Sequence, residues 1–241
     1  MFEPLSRQSL SGSVFEQLRD QIVGHQLAAG DALPSERLLA ELLGVNRGAV
    51  REGIKRLQQT GLIAVRHGGS TVVLDYLEEG GLELLPALLI DKNGRINPAA
   101  ARSIMALRSS LAPSVAASAA ARPNPALAER LTVHLEALVQ ADQRPADAQE
   151  AAMDFWAELV RGSGNLAFRL AFNSMSKTYR QIWPLLTEAL APEFGDQANL
   201  RTLTNAVAKG DPQAAREAAA AHVAIGEQAV MQLMDRYEGA P

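Results

Sequence analysis

The chain has 241 residues, 47% of them apolar, no cysteine and a formal net charge of −4 at pH 7. That length suits two domains with sizeable cores. The missing cysteines exclude disulfides and thiolate chemistry, and the mild acidity excludes a protein whose whole surface coats nucleic acid. The charge is uneven, however. Between residues 34 and 73, Arg37, Arg47, Arg51, Lys55, Arg56 and Arg66 outnumber Glu36, Glu41 and Glu52, which leaves +3 there and −7 elsewhere. A local basic region on an acidic body points to one face that meets an anionic polymer.

In chain order, residues 11–25 place Val14, Leu18, Ile22 and Val23 on one helical stripe. Gly30, Asp31 and Pro34 interrupt it. A second helix is expected over 35–43, with Ser35 as its cap and Gly44 as its stop. Asn46 is a good N-cap for a third helix running from Arg47 to about Thr60, and Gly61 ends it. The segments LIAV and STVVL flank RHGG and read as a small hairpin. Alanine dominates after Tyr76. Helices are expected over 81–90, 98–121, 125–141, 147–161, 166–190, 197–209 and 212–237, the last opened by Asp211-Pro212. The fold class is therefore mainly α: an N-terminal winged helix-turn-helix (1–76), a linker helix and loop (77–97), and an all-helical bundle (98–241) sized for an internal cavity and for self-association.

Three short helices and a hairpin are the layout in which the third helix enters the major groove of double-stranded DNA. On that helix Arg47, Arg51, Lys55 and Gln58 share one side, while Val50, Ile54 and Leu57 form the neighbouring apolar stripe. Gly48 and Ala49 keep the first turn thin. Arginine suits the position because its planar fork matches guanine or a phosphate. In the wing, His67 and Gly68 sit at a tip small enough for the minor groove. A solvated charged helix face is the bland alternative, and the order of helices and hairpin argues against it.

The stretch PSERLLAELLGVNRGAVREGIKRLQQTGLIAVRHGG closely resembles the DNA-binding module of the GntR family of bacterial transcription regulators. The all-helical remainder is similar to that family's FadR subfamily. The resemblance implies that Arg37, Arg47 and Arg51 contact DNA and that His67 acts in the wing. Asn46 and Gly48 stand where the family often has Thr or Ser, which bears on base preference. It further implies a homodimer on a palindromic operator, with affinity controlled by a small anionic effector. A fatty acyl-CoA is one candidate, and an organic acid of the sugar-acid or carboxylate type is the other.

Many members of the subfamily hold a metal through one Asp and three His. Here Ala152, Trp156 and Leu200 stand at three of those places, and only His222 remains, so neither metal nor other cofactor is expected. Two stretches resemble the fatty-acid-responsive type, GGLELLPALL and NSMSKTYRQI, while AHVAIGEQAV departs from it. Ile104, Arg108, Leu111 and Val115 form one stripe on which Arg108 is the only charge. A buried guanidinium needs an anion: either a carboxylate from another helix or the effector itself. Trp156 and Tyr179 are expected to line the same space; His222 reads first as a hydrogen-bonded residue of the helical core and joins them as an effector-site candidate. Effector binding would then shift the helices beneath the linker. No nucleophile–base pair, phosphate loop or metal set stands out, so the sequence offers an enzyme reading no residues to work with.

Overall fold

The computed structural model describes residues 10–66, 69–90, 94–122, 124–141 and 144–238. The chain divides into two compact units, Met1–Ile96 and Asn97–Pro241.

In the first unit, α1 (Leu10–Val23), α2 (Glu36–Leu43) and α3 (Arg47–Gln59) precede an antiparallel pair, β1 (Ile63–Val65) and β2 (Thr71–Val73). The register sets Ile63 against Val73 and Val65 against Thr71. Residues 30–33 add to the free edge of β2, with Gly30 N–H donating to Val73 O at 2.8 Å and Leu33 N–H to Thr71 O at 2.8 Å. α2 begins at Ser35, whose hydroxyl accepts from Leu38 N–H, and ends at Gly44, which takes the left-handed conformation (φ 65°). α1 stops at Val23, two residues before the expected end, because His25 turns to φ 55° and reverses the chain. Val14, Leu18, Ile22, Leu39, Val50, Ile54, Leu57, Leu62 and Val73 make one core. α1 and α3 approach closely at Gly53, where a Cβ would lie 2.7 Å from the Val14 side chain.

The expected single helix over 81–90 is broken. α4 (Tyr76–Glu79) ends at Gly80, a 3-10 turn follows over Leu82–Leu84, and α5 spans Leu85–Leu89. Gly80 and Gly81 are extended, and Pro86 in the first turn of α5 has no N–H to continue a preceding helix.

The second unit holds α6 (Pro98–Ala120), α7 (Pro125–Gln140), α8 (Pro145–Ser163), α9 (Leu166–Gln181), α10 (Trp183–Ala189), α11 (Ala191–Phe194), α12 (Gln197–Lys209) and α13 (Pro212–Glu238). α13 runs against α6, with α12 beside it, and α8 packs on α6 and α7. Alanines make the close approaches: Ala116, Ala119 and Ala120 on α6 and Ala215 and Ala219 on α13 are fully buried. The expected helix over 166–190 breaks at Ile182 (φ −112°, ψ 17°). Pro184 removes a donor and its ring crowds the carbonyl four residues back, so α10 must start anew. Pro192 does the same for α11, which swings Glu193 into the bundle. Among the described residues no helix is long and apolar enough to cross a membrane.

Candidate functional site

Two places concentrate chemistry. The first is the outer face of α3. Asn46 stays extended (φ −74°, ψ 154°), and its side chain accepts from Ala49 N–H at 2.8 Å, which closes the first turn. The helix then presents Asn46, Arg47, Gly48, Arg51, Lys55 and Gln58 to solvent, while Val50, Ile54 and Leu57 are buried. The Arg51 guanidinium lies 3.5 Å from the Glu36 carboxylate, and Arg37 pairs with Glu41 at 2.7 Å. Both pairs are exposed, so each is worth about 0–1 kcal/mol and exchanges readily for a phosphate. Arg56 takes no part in this face, because it stacks 4.3 Å over the Phe15 ring and ties α3 to α1. The helix N-terminus, free of acidic residues in its first turn, adds positive potential beside Arg47. His67 and Gly68 lie outside the described residues. Next to them in the chain, Arg66 N–H donates to Ser70 O at 2.8 Å and Gly69 has φ 85°.

The second place is a cavity of about 80 Å³ inside the helical unit. That is several times what one water molecule requires. Its wall is almost wholly apolar: Leu111, Ala112 and Val115 from α6, Ala152, Met153 and Val160 from α8, and Phe168, Phe172 and Met175 from α9. Arg108, Trp156 and Tyr179 all line it. His222 does not, but its ring centroid lies 6.2 Å from that of Trp156.

Glu193, which sequence reasoning missed, meets Arg108 there. The guanidinium donates to Glu193 Oε2 at 2.7 Å and also to Oε1, in a bidentate pair buried to 2% exposure at Glu193. Burial opposes the charge on Arg108, yet Glu193 offsets this and holds the guanidinium above its ordinary range. The carboxylate also lies 3.6 Å from His222 Nε2, and His222 Nδ1 bonds Asp196 at 3.0 Å. Burial pushes His222 down against the pull of Glu193 and Asp196, so the imidazole is neutral at pH 7. Asp196 works against its own burial through bonds from Asn199 and His222 and stays below the usual carboxylate range.

Burial drives the Tyr179 phenol up to about 12, despite Arg108 nearby. Both its hydroxyl and the indole nitrogen of Trp156 are buried, and neither has a hydrogen-bond partner among the described residues. Ala152 and Trp156 line the cavity, and Leu200 is packed at 1% exposure. Among the described residues no group of three or more His, Cys, Asp or Glu could hold a metal ion.

The signal for Glu193 was present but weak. A carboxylate between Pro192 and Phe194, just after the apolar run ending at Leu190, has no solvated helix face to occupy.

Residues 10–73 match the family model described as bacterial regulatory proteins, gntR family, and residues 103–224 match the FCD domain. The chain is 40% identical over 217 residues to the HTH-type transcriptional regulator Mce2R of Mycobacterium tuberculosis, covering 90% of each protein. It is 29% identical to the fatty acid metabolism regulator protein of Yersinia enterocolitica, over 74% of this chain and 72% of that one. Among solved structures, a Listeria monocytogenes protein described as Lar, which controls expression of the agr system, superposes with a TM-score of 0.58 at 16% identity. It covers 97% of this chain and 99% of its own.

Proposed function

The chain belongs to the gntR family of bacterial regulatory proteins, and from that premise we propose how this DNA-binding transcription regulator is switched. A homodimer places two copies of α3 in successive major grooves of a palindromic operator. Arg47 and Arg51 reach base edges or phosphates, Asn46 and Gly48 set the close approach of the first turn, and Arg37 holds the backbone. His67 and Gly68 serve the wing. The work is done in the cytoplasm, and neither catalysis nor a metal has a part in it. Residues 1–76 bind DNA, 77–97 connect, and 98–241 dimerise and take the effector.

The observation that carries the effector reading is the apolar cavity at which Arg108, Trp156 and Tyr179 meet. A largely apolar body is what such a wall selects. The effector is an anionic metabolite whose apolar portion fills the cavity, with a fatty acyl-CoA the leading candidate. The fatty acid regulators among its relatives support this choice. His222 acts from behind Trp156. A small organic acid is the second reading, and the single guanidinium in the wall is what favours it.

Selection of an operator from random DNA, followed by titration of the complex with acyl-CoAs of increasing chain length and with small carboxylates, tests both. Release by acyl-CoA alone supports the first reading. Release by a small carboxylate alone removes it in favour of the second. If the protein selects no sequence, the regulator model falls.

A further inference from the structure

Among the described residues the cavity wall holds one cation, Arg108, but the groups around it are mainly anionic. Arg108 is met through both terminal nitrogens by the Glu193 carboxylate. Asp196 stands behind His222, and Glu227 accepts from Ser109 Oγ at 2.7 Å on the neighbouring side of α6, close enough to act on Arg108. Set against the single positive charge are three carboxylates, and His222 between two of them is neutral. An entering carboxylate would meet Glu193 beside the guanidinium it seeks, in a site with little water to screen the two.

Glu193 is also built in. A Cβ at Gly226 of α13 would lie 1.9 Å from Glu193 Oε2 and 2.9 Å from Leu190, so α13 keeps a gap there that the carboxylate fills. Asp196 N–H donates back to Glu193 O at 3.0 Å, and Glu193 N–H donates to Leu190 O at 3.0 Å, which fixes the short α11. What the wall leaves unanswered is the indole N–H of Trp156 and the hydroxyl of Tyr179, both buried and without partners among the described residues. Buried donors of this kind call for an acceptor.

We propose that Glu193 is a specificity-determining residue: by neutralising Arg108 it makes the cavity accept an uncharged acceptor group, such as an ester-type carbonyl on an apolar chain, and reject a free carboxylate. The inference rests on the cavity reading above and narrows it, because any anionic part of the effector then remains outside the apolar wall.

The test compares methyl octanoate with octanoate, matched in chain length, by calorimetry on the full-length protein at pH 8. The wild type should bind the ester at least about tenfold more tightly than the carboxylate. Glu193→Gln, which leaves Arg108 uncompensated, should shift that ratio toward octanoate by about tenfold or more. Arg108→Gln combined with Glu193→Gln should restore the preference for the ester. A wild type that binds octanoate as tightly as the ester, or binds no methyl octanoate at millimolar concentration, overturns the proposal even if Glu193→Gln does not fold. So does a folded Glu193→Gln protein with an unchanged ratio. Ala152→Trp, which fills the cavity, separates the two levels. If it abolishes binding while the wild type prefers octanoate, the cavity reading stands and the role of Glu193 falls. If binding survives it, the ligand sits elsewhere and both fall.

Discussion

The outer face of α3 and the wall of the helical cavity both carry arginines, but they hold them in opposite ways. On α3 and the adjoining α2 the charges are exposed and paired at most with a neighbour, Arg51 with Glu36 and Arg37 with Glu41. In the cavity Arg108 is committed to a buried carboxylate 85 residues away. The first arrangement can trade its partners for phosphates at little cost. The second cannot give up Glu193 without leaving a charge stranded. The difference suits the tasks proposed for them: one face exchanges ions, and the other discriminates among molecules that enter it.

The largest effect that could break this contrast is on stability. Glu193→Ala should destabilise the helical unit by about 3–5 kcal/mol, because Arg108 is left buried and unpaired. Arg108→Met with Glu193→Leu should recover most of that loss in urea denaturation. A single Glu193→Ala variant as stable as wild type would show that the pair is as exchangeable as those on α3. Next come Arg47→Ala and Arg51→Ala. Each should weaken operator binding by about 1–3 kcal/mol and leave the denaturation midpoint nearly unchanged, as expected for exposed side chains. Asn46→Ala lies between the two behaviours. It should cost about 1 kcal/mol of stability through the lost cap and weaken DNA binding by misplacing Arg47.

The smallest effect concerns pH. His222 is held below its ordinary value of 6.5 by burial. The unfolded chain therefore takes up a proton there that the folded chain refuses, so stability rises with pH up to about 6.5. The His222 contribution is fully present above pH 6.5 and is lost as the pH falls below it toward the folded value. His222→Gln should flatten the stability profile between pH 7.5 and 5.5. An unchanged slope would place the titrating group elsewhere. Asp196 and Glu158, both held low and the latter through Arg130 and Arg161 against its own burial, lose their contributions only in more acidic solution.

The two regions also differ in how far sequence alone reveals them. The α3 face follows from spacing: Arg47, Arg51 and Lys55 lie one turn apart, and Val50, Ile54 and Leu57 fill the next stripe. The caps at Ser35 and Asn46 are equally local. Arg108 could be recognised as a charge on an apolar stripe, but its partner could not, since the pairing depends on how Pro184 and Pro192 break the chain and turn α11 inward. Reading 166–190 as one helix concealed that turn. Gly226 is the one glycine of AHVAIGEQAV, and its purpose is visible only with Glu193 packed against it. Local hydrogen bonding and periodicity are written in a short window of residues, whereas a buried ion pair between distant segments is a property of the packed bundle.

The account depends most on the cavity controlling DNA binding. The direct measurement is operator affinity by fluorescence anisotropy, with and without saturating long-chain acyl-CoA, for wild type and Ala152→Trp. The wild type should lose affinity by about 5- to 150-fold, the range of a coupling of about 1–3 kcal/mol, and Ala152→Trp should bind the operator but fail to respond. A response of equal size in both proteins would contradict the account.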